Sequence, residues 1–425
     1  MTPMPGRDLA SALPAPPVLE KRARDPRLDF FRGLGMFIIL VAHIPANPWA
    51  DWIPARFGFS DATEIFVFCS GVASALAFGR VFETAGWARG AARIACRIWQ
   101  VYWCHLGVFL AVIAALAAAD LALGTDRYLR HDLNLWPVLD DPVRRIAEFA
   151  VLVYVPNYFD ILPMYLVILA LVPLVVAAAR IGLHLAGALA GGLWVLACLG
   201  LLDFMAETWS GRAWFFNPFS WQLLFFLGFA FGRGWLKPPS YDPHLMAAAL
   251  AATAVAAPFS CQYGWSCFAG WGHVPWFGEV HQALAPLIDK THLGPFRIAH
   301  FLAIAYVARV MAGEGGRRLH GALVARVRQV GRQTLAVFLA GLVLAQGLGV
   351  VLDVAGRDVA TVALANLGGC GLLILVAVTA EWFKSSPWAK AGAESRSHAE
   401  ADAAERTPFL LPPVLKSTDA PSPLV

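Results

Sequence analysis

Stretches of roughly 20 mostly apolar residues recur along this chain, and a helix of that length is what crosses a bilayer. They lie near 29–46, 62–80, 96–122, 161–180, 183–202, 219–234, 244–259, 296–312, 333–353 and 359–382. Inside lipid the backbone must satisfy its own N–H and C=O groups. The stretches therefore read as an all-α membrane protein, a bundle of about ten transmembrane helices. Composition agrees: 58% of the residues are hydrophobic and 15% charged, where soluble domains carry about 25% charged residues. The segment 146–156 is too short to cross and reads as interfacial or re-entrant.

Residues 1–27 contain Pro3, Pro5, Pro14, Pro16 and Pro17 and lack the apolar core of a signal peptide. They read as a disordered cytoplasmic tail. Residues 28–384 form the membrane domain. Residues 385–425, rich in Ala, Glu, Ser and Pro, read as a second disordered cytoplasmic tail. Basic residues collect on the cytoplasmic side of membrane proteins. With the N-terminus inside, nine of the 33 Lys and Arg fall outside, which leaves 24 at cytoplasmic ends and tails. That bias favours both termini inside and an even number of spans. Cys69, Cys96, Cys104, Cys198 and Cys370 sit in apolar segments. Cys261 and Cys267 lie close together in a loop on the oxidising side, where they could form a disulfide. No metal-ligand spacing appears, and no bound cofactor is expected.

Ionisable residues are costly within membrane spans, so their default reading is functional or partnered. Asp29 and Arg32 are three apart on the first span and can pair. Arg32 and His43 are eleven apart, close to three helical turns, about 16 Å along the axis. They share a face with Met36 and Leu40, as if lining a tunnel. The plainer alternatives are a buried histidine bonded to a carbonyl and a charged anchor at the membrane edge. Asp61 can cap the second span and Glu64 can close a capping box. Glu64 then enters an apolar run on the same side as His43. A carboxylate beside an imidazole fixes its tautomer and stabilises its charged form, as a general base requires. Arg93 and Arg97, four apart, could hold a phosphate-bearing ligand or serve only as anchors. His105 lies deeper on that span. Asn217, Gln222, Lys290 and His300 suggest a polar cavity open to the periplasm.

The runs from Arg24 to Gly33, His43 to Pro45 and Phe57 to Gly71 resemble the OpgC family. So do Phe216–Phe225, Asp289–Pro295 and Val330–Gln333. The spacing of Arg32 and His43 also resembles the wider acyltransferase-3 group. The resemblance implies a bacterial inner-membrane enzyme that transfers succinyl from cytoplasmic succinyl-CoA to a periplasmic glucan. Carried over, His43 is the catalytic histidine and Arg32 its motif partner. Glu64 and Asp61 become supporting acids, and Arg93 and Arg97 face the CoA phosphates. Asp29, His105, Asn217, Gln222, Lys290 and His300 are expected to bind substrate. The partners implied are acyl-CoA, a glycan acceptor and the lipid bilayer, with no nucleic acid. The competing class is a transporter or flippase for a polar or glycan substrate, which would use the same charges and cavity.

Overall fold

A computed structural model describes residues 25–131, 133–260 and 275–388. Most of both tails, and the pair Cys261 and Cys267, lie outside the described residues. The described residues form sixteen α-helices. These are α1 (Pro26–His43), α2 (Ala62–Ser74), α3 (Arg80–Thr84), α4 (Trp87–Leu123), α5 (Arg127–His131), α6 (Trp136–Asp140), α7 (Pro142–Ala150) and α8 (Ile161–Ile181). There follow α9 (Leu183–Cys198), α10 (Pro218–Arg233), α11 (Pro243–Ala256), α12 (Pro275–Ile288), α13 (Pro295–Ala312), α14 (Ala322–Arg332), α15 (Thr334–Ala355) and α16 (Val359–Lys384). One isolated antiparallel bridge, Met205 to Ala213, is the β feature among them.

Among the described residues, six helical runs are long and apolar enough to cross a membrane: Ala62–Thr84, α4, α8, α13, α15 and α16. The first passes from α2 through a π turn, Ala75–Gly79, into α3. α1 has 18 residues but carries Arg27, Asp29 and Arg32, and α9, α10 and α11 are shorter. α7 has nine residues, too few to span. α12 and α14 occupy stretches that the apolar pattern leaves as loops.

Local chemistry sets the helix ends. Asp25 caps α1 through the Arg27 amide at 2.9 Å, and Pro26 occupies the first turn, where its missing N–H costs nothing. At α2 the capping box forms: Asp61 accepts from the Thr63 amide at 2.7 Å, and Glu64 accepts from the Asp61 amide at 2.8 Å. α4 runs 37 residues, about 55 Å, well beyond a hydrocarbon core of about 30 Å. Its first turns, with Arg89, Arg93 and Arg97, therefore extend past the apolar part.

α1 packs against α2, α14, α15 and α16, while α2 also packs along α10. Two of these contacts are backbone on backbone. A Cβ at Gly33 would lie 1.9 Å from the Val327 carbonyl, and one at Gly331 would lie 1.8 Å from the Asp29 carbonyl. On the other side, a Cβ at Gly71 would lie 1.9 Å from the Phe225 carbonyl, and one at Gly228 would lie 2.2 Å from that of Phe68. Small residues let membrane helices approach this closely. Gly71→Ala should therefore destabilise the folded protein by about 1–3 kcal/mol, the usual cost of overpacking. Gly107→Ala, with nothing within 4 Å, should leave thermal unfolding in detergent unchanged. Equal melting temperatures for the two variants would contradict the close packing of α2 on α10.

Candidate functional site

His43 is the last residue of α1. Pro45 follows and cannot continue the helix, and Ile44 is already extended. A helix end leaves carbonyls without partners, and here side chains supply them. Asn47 donates to the Val41 carbonyl at 2.9 Å and pairs reciprocally with Asn366 at 2.8 and 3.0 Å. Arg357 donates to the carbonyls of Pro45 and Ala46 at 3.0 and 3.1 Å. Gln346 reaches the His43 carbonyl at 3.4 Å. The backbone around His43 is thus held by side chains from outside α1. The imidazole Nδ1 lies 2.7 Å from the Ile39 carbonyl. A carbonyl only accepts, so Nδ1 carries the proton and Nε2 keeps the lone pair. That is the tautomer a general base or a nucleophile needs.

His43 lines a cavity of about 960 Å³ at this end of the bundle. Asp61, Lys290, Tyr158, Asp160, Arg212 and Gln346 share its wall. Lys290 donates to Asp61 at 2.5 Å and sits over the rings of Phe215 and Phe216 at 5.5 and 5.7 Å. The Tyr158 ring centroid is 4.5 Å from that of His43. Asp160 accepts from the Phe215 amide at 3.2 Å, and burial pushes its carboxyl up to about 6. Arg212 donates to the Val155 carbonyl at 2.7 Å and to Glu207 at 3.1 Å. Glu207 also accepts from Ser210 and Asn134. Burial opposes its charge, but these bonds outweigh it and hold the carboxyl below its usual value.

Glu64 is not in that wall. It is fully buried, and Arg297 grips its Oε1 through Nε at 2.7 Å and Nη2 at 2.6 Å. The capping box explains this, because it turns the Glu64 side chain back toward the start of α2. The cavity-facing acid of α2 is Asp61. Arg32 and Asp29 also lie away from the cavity, whose α1 lining begins at Ile38. Met36 and Leu40 are buried core residues between the two ends. Among the described residues the shared face is thus filled by apolar packing between Arg32 and His43.

The remaining sequence candidates divide. Asn217 caps α10 and bonds the Leu202 carbonyl and Asp203, both at 2.8 Å. Gln222 donates to the Ala190 and Phe219 carbonyls at 2.7 and 2.9 Å. His300 pairs with Ser60 at 2.8 Å, its ring filling the space beside Gly58. His105 is buried and stacked on Phe149 at 4.4 Å, with neither ring nitrogen hydrogen-bonded among the described residues. These four support the walls and do not line the cavity. Arg93 is exposed on α4, and Arg97 donates to Gln100 at 3.4 Å. Neither reaches the His43 cavity. Of the expected binding residues, Lys290 alone lines it. Its backbone is held by Trp221, which donates to the Lys290 carbonyl at 3.0 Å. Tyr158, Asp160, Arg212 and Gln346 were not among the expected site residues; they join the wall from the loops before α8 and α10 and from α15.

The family model described as OpgC protein matches residues 24–385. The chain belongs to the OpgC family. No curated protein and no solved structure matches it. The OpgC match covers α1 through α16, so the His43 cavity and its supporting shell lie wholly within the family region.

Beside Lys290, His292 bonds Asp289 through Nδ1 at 2.7 Å and Asp203 through Nε2 at 2.9 Å. Burial works against its charge, but the two carboxylates outweigh it and raise its pKa above the usual 6.5. A raised histidine contributes stability that is fully present below the unfolded value and is lost as pH rises through the folded one. Unfolding curves for the parent protein and His292→Gln should therefore differ at pH 6 and converge in alkaline solution. A gap that widens with pH would contradict the doubly bonded imidazolium.

Proposed function

We propose that this chain is a membrane acyltransferase that moves an acyl group, succinyl by family resemblance, from cytoplasmic acyl-CoA to a hydroxyl of a periplasmic glucan. The observation that carries the reading is His43. It sits at the end of a pinned helix, with a proton-accepting Nε2 beside a cavity large enough for sugar units. In this reading α1, α9, α10 and α11 join the six longer runs as spans. The count is then ten, both termini are cytoplasmic, and the chain sits in a bacterial inner membrane. The His43 cavity opens to the periplasm.

Nε2 takes the proton of an acceptor hydroxyl, whose oxygen attacks the thioester carbonyl. The leaving thiolate then takes that proton from the imidazolium. Alternatively Nε2 attacks the thioester carbonyl first and expels the thiolate; the acceptor hydroxyl then takes the acyl group from the imidazole, and its proton goes to the thiolate. The C-terminal end of α1 favours the imidazolium in either course. The donors in the cavity wall able to stabilise the oxyanion are Lys290 and Gln346. Arg93 and Arg97, toward the end of the bundle opposite His43, remain the candidates for the CoA phosphates. The apolar layer of Met36 and Leu40 must part for the thioester to reach the imidazole.

His43→Ala should abolish acylation of periplasmic glucans, read by mass spectrometry of glucans from cells carrying only that variant, while membrane insertion is unchanged. Fully acylated glucans from such cells would refute the mechanism. Transport of a glycan by purified protein in vesicles, without consumption of acyl-CoA, would favour a transporter instead.

A further inference from the structure

We infer that Tyr158 is a positioning residue for His43: its ring holds the imidazole with Nε2 toward the cavity and forms the platform on which an acceptor sugar lies. The inference rests on His43 being the reactive group. Its evidence is the geometry of segment 154–160.

Tyr158 occupies the third position of a turn closed by the Phe159 amide on the Pro156 carbonyl at 3.1 Å. Its φ is +70°. Glycine is the usual residue in that left-handed region, and a tyrosine there is held in a strained backbone. Strain of this kind persists only where surrounding structure over-determines it. Here it is over-determined. The Asn157 amide bonds the Leu133 carbonyl at 3.0 Å, and the Val155 amide bonds that of Ala206 at 2.8 Å. The Tyr154 hydroxyl bonds the Asn134 carbonyl at 2.5 Å. Leu133 and Asn134 are themselves left-handed, both with φ +58°. Glu207 ties this second turn to Arg212 through Asn134 at 2.9 Å.

What the strain achieves is visible at the ring. The left-handed turn swings the Tyr158 side chain over the imidazole, with ring centroids 4.5 Å apart and planes inclined by 53°. Tyr158 as a whole remains 44% exposed and lines the same cavity. One region of the phenol covers the histidine and the rest faces the space where an acceptor would sit. A flat aromatic surface beside the base suits the apolar face of a sugar ring. It would hold a hydroxyl at the height of Nε2. A base displaced by an ångström loses much of its rate, so holding the imidazole still has a direct chemical use.

Three variants test this: Tyr158→Gly, Tyr158→Ala and Tyr158→Phe, each in the full-length chain in detergent. Gly should relieve the turn, so its melting temperature should equal or exceed that of the parent. Its glucan acylation should nevertheless fall about tenfold or more. Phe keeps the ring and should retain both properties. The readout independent of catalysis is carbethoxylation of His43 by diethyl pyrocarbonate, followed by peptide mass spectrometry. Labelling should accelerate several-fold in Gly and Ala and stay at the parent rate in Phe. Parent-like labelling in Gly, or full acylation by Gly, overturns the inference. An inactive parent, or an active His43→Ala, would refute the acyltransferase mechanism while leaving the labelling comparison able to judge the contact between the rings.

Discussion

The paired charges at the start of α2 govern how the cavity end of the bundle is arranged. Glu64 is completely buried, and a carboxylate out of water is tolerable only when paired and hydrogen-bonded. Arg297, the third residue of α13, binds it with two nitrogens, and its Nη2 lies 3.8 Å from Asp61. Lys290, in the loop before α13, takes the other side of Asp61. Removing one member of a buried pair typically costs about 3–5 kcal/mol, because it strands the other. The start of α2 and the start of α13 are therefore obliged to stay together. That obligation brings Asp61 and Lys290 to the wall that His43 shares.

The opposite wall is made differently. There the buried carboxylate of Glu207 is held by Arg212, and two strained turns and a web of loop hydrogen bonds do the rest. Tyr154, Asn157 and Val155 bond backbone from residues 133–134 and 206, while Arg212 and Glu207 close the web. The site therefore sits between a rigid helical side and a loop side whose shape depends on many modest bonds. α1 joins the two, because Asn47 and Gln346 take carbonyls of its last turn and Arg357 takes those of Pro45 and Ala46 just beyond it. A helix end needs such support, since helix ends otherwise fray.

The glycines inside the family-like runs have a packing role. Gly33 follows Arg32, and Gly71 follows Ser70. Each lets a neighbouring backbone approach to a distance that any Cβ would forbid. Runs that look like signatures of chemistry thus also carry the contacts between helices. Asp61 and Glu64 divide their roles. One acid faces the cavity, and the other closes the capping box and holds α13.

The apolar pattern located the ten main helices to within a few residues at most ends, because burial in lipid acts on composition and leaves a periodic trace. α4 is the exception: it begins nine residues before the expected start, since its polar first turns lie beyond any apolar run. The capping box at Asp61 and Glu64 was readable for a similar reason: it arises from neighbours in sequence. His43 stood out as an ionisable group in an apolar helix. Its partners did not. Which acid faces it depends on Lys290 and Arg297, and Tyr158 and Arg212 complete the cavity from loops more than 100 residues away in sequence. Helix periodicity says which residues share a face, whereas packing alone decides what that face meets.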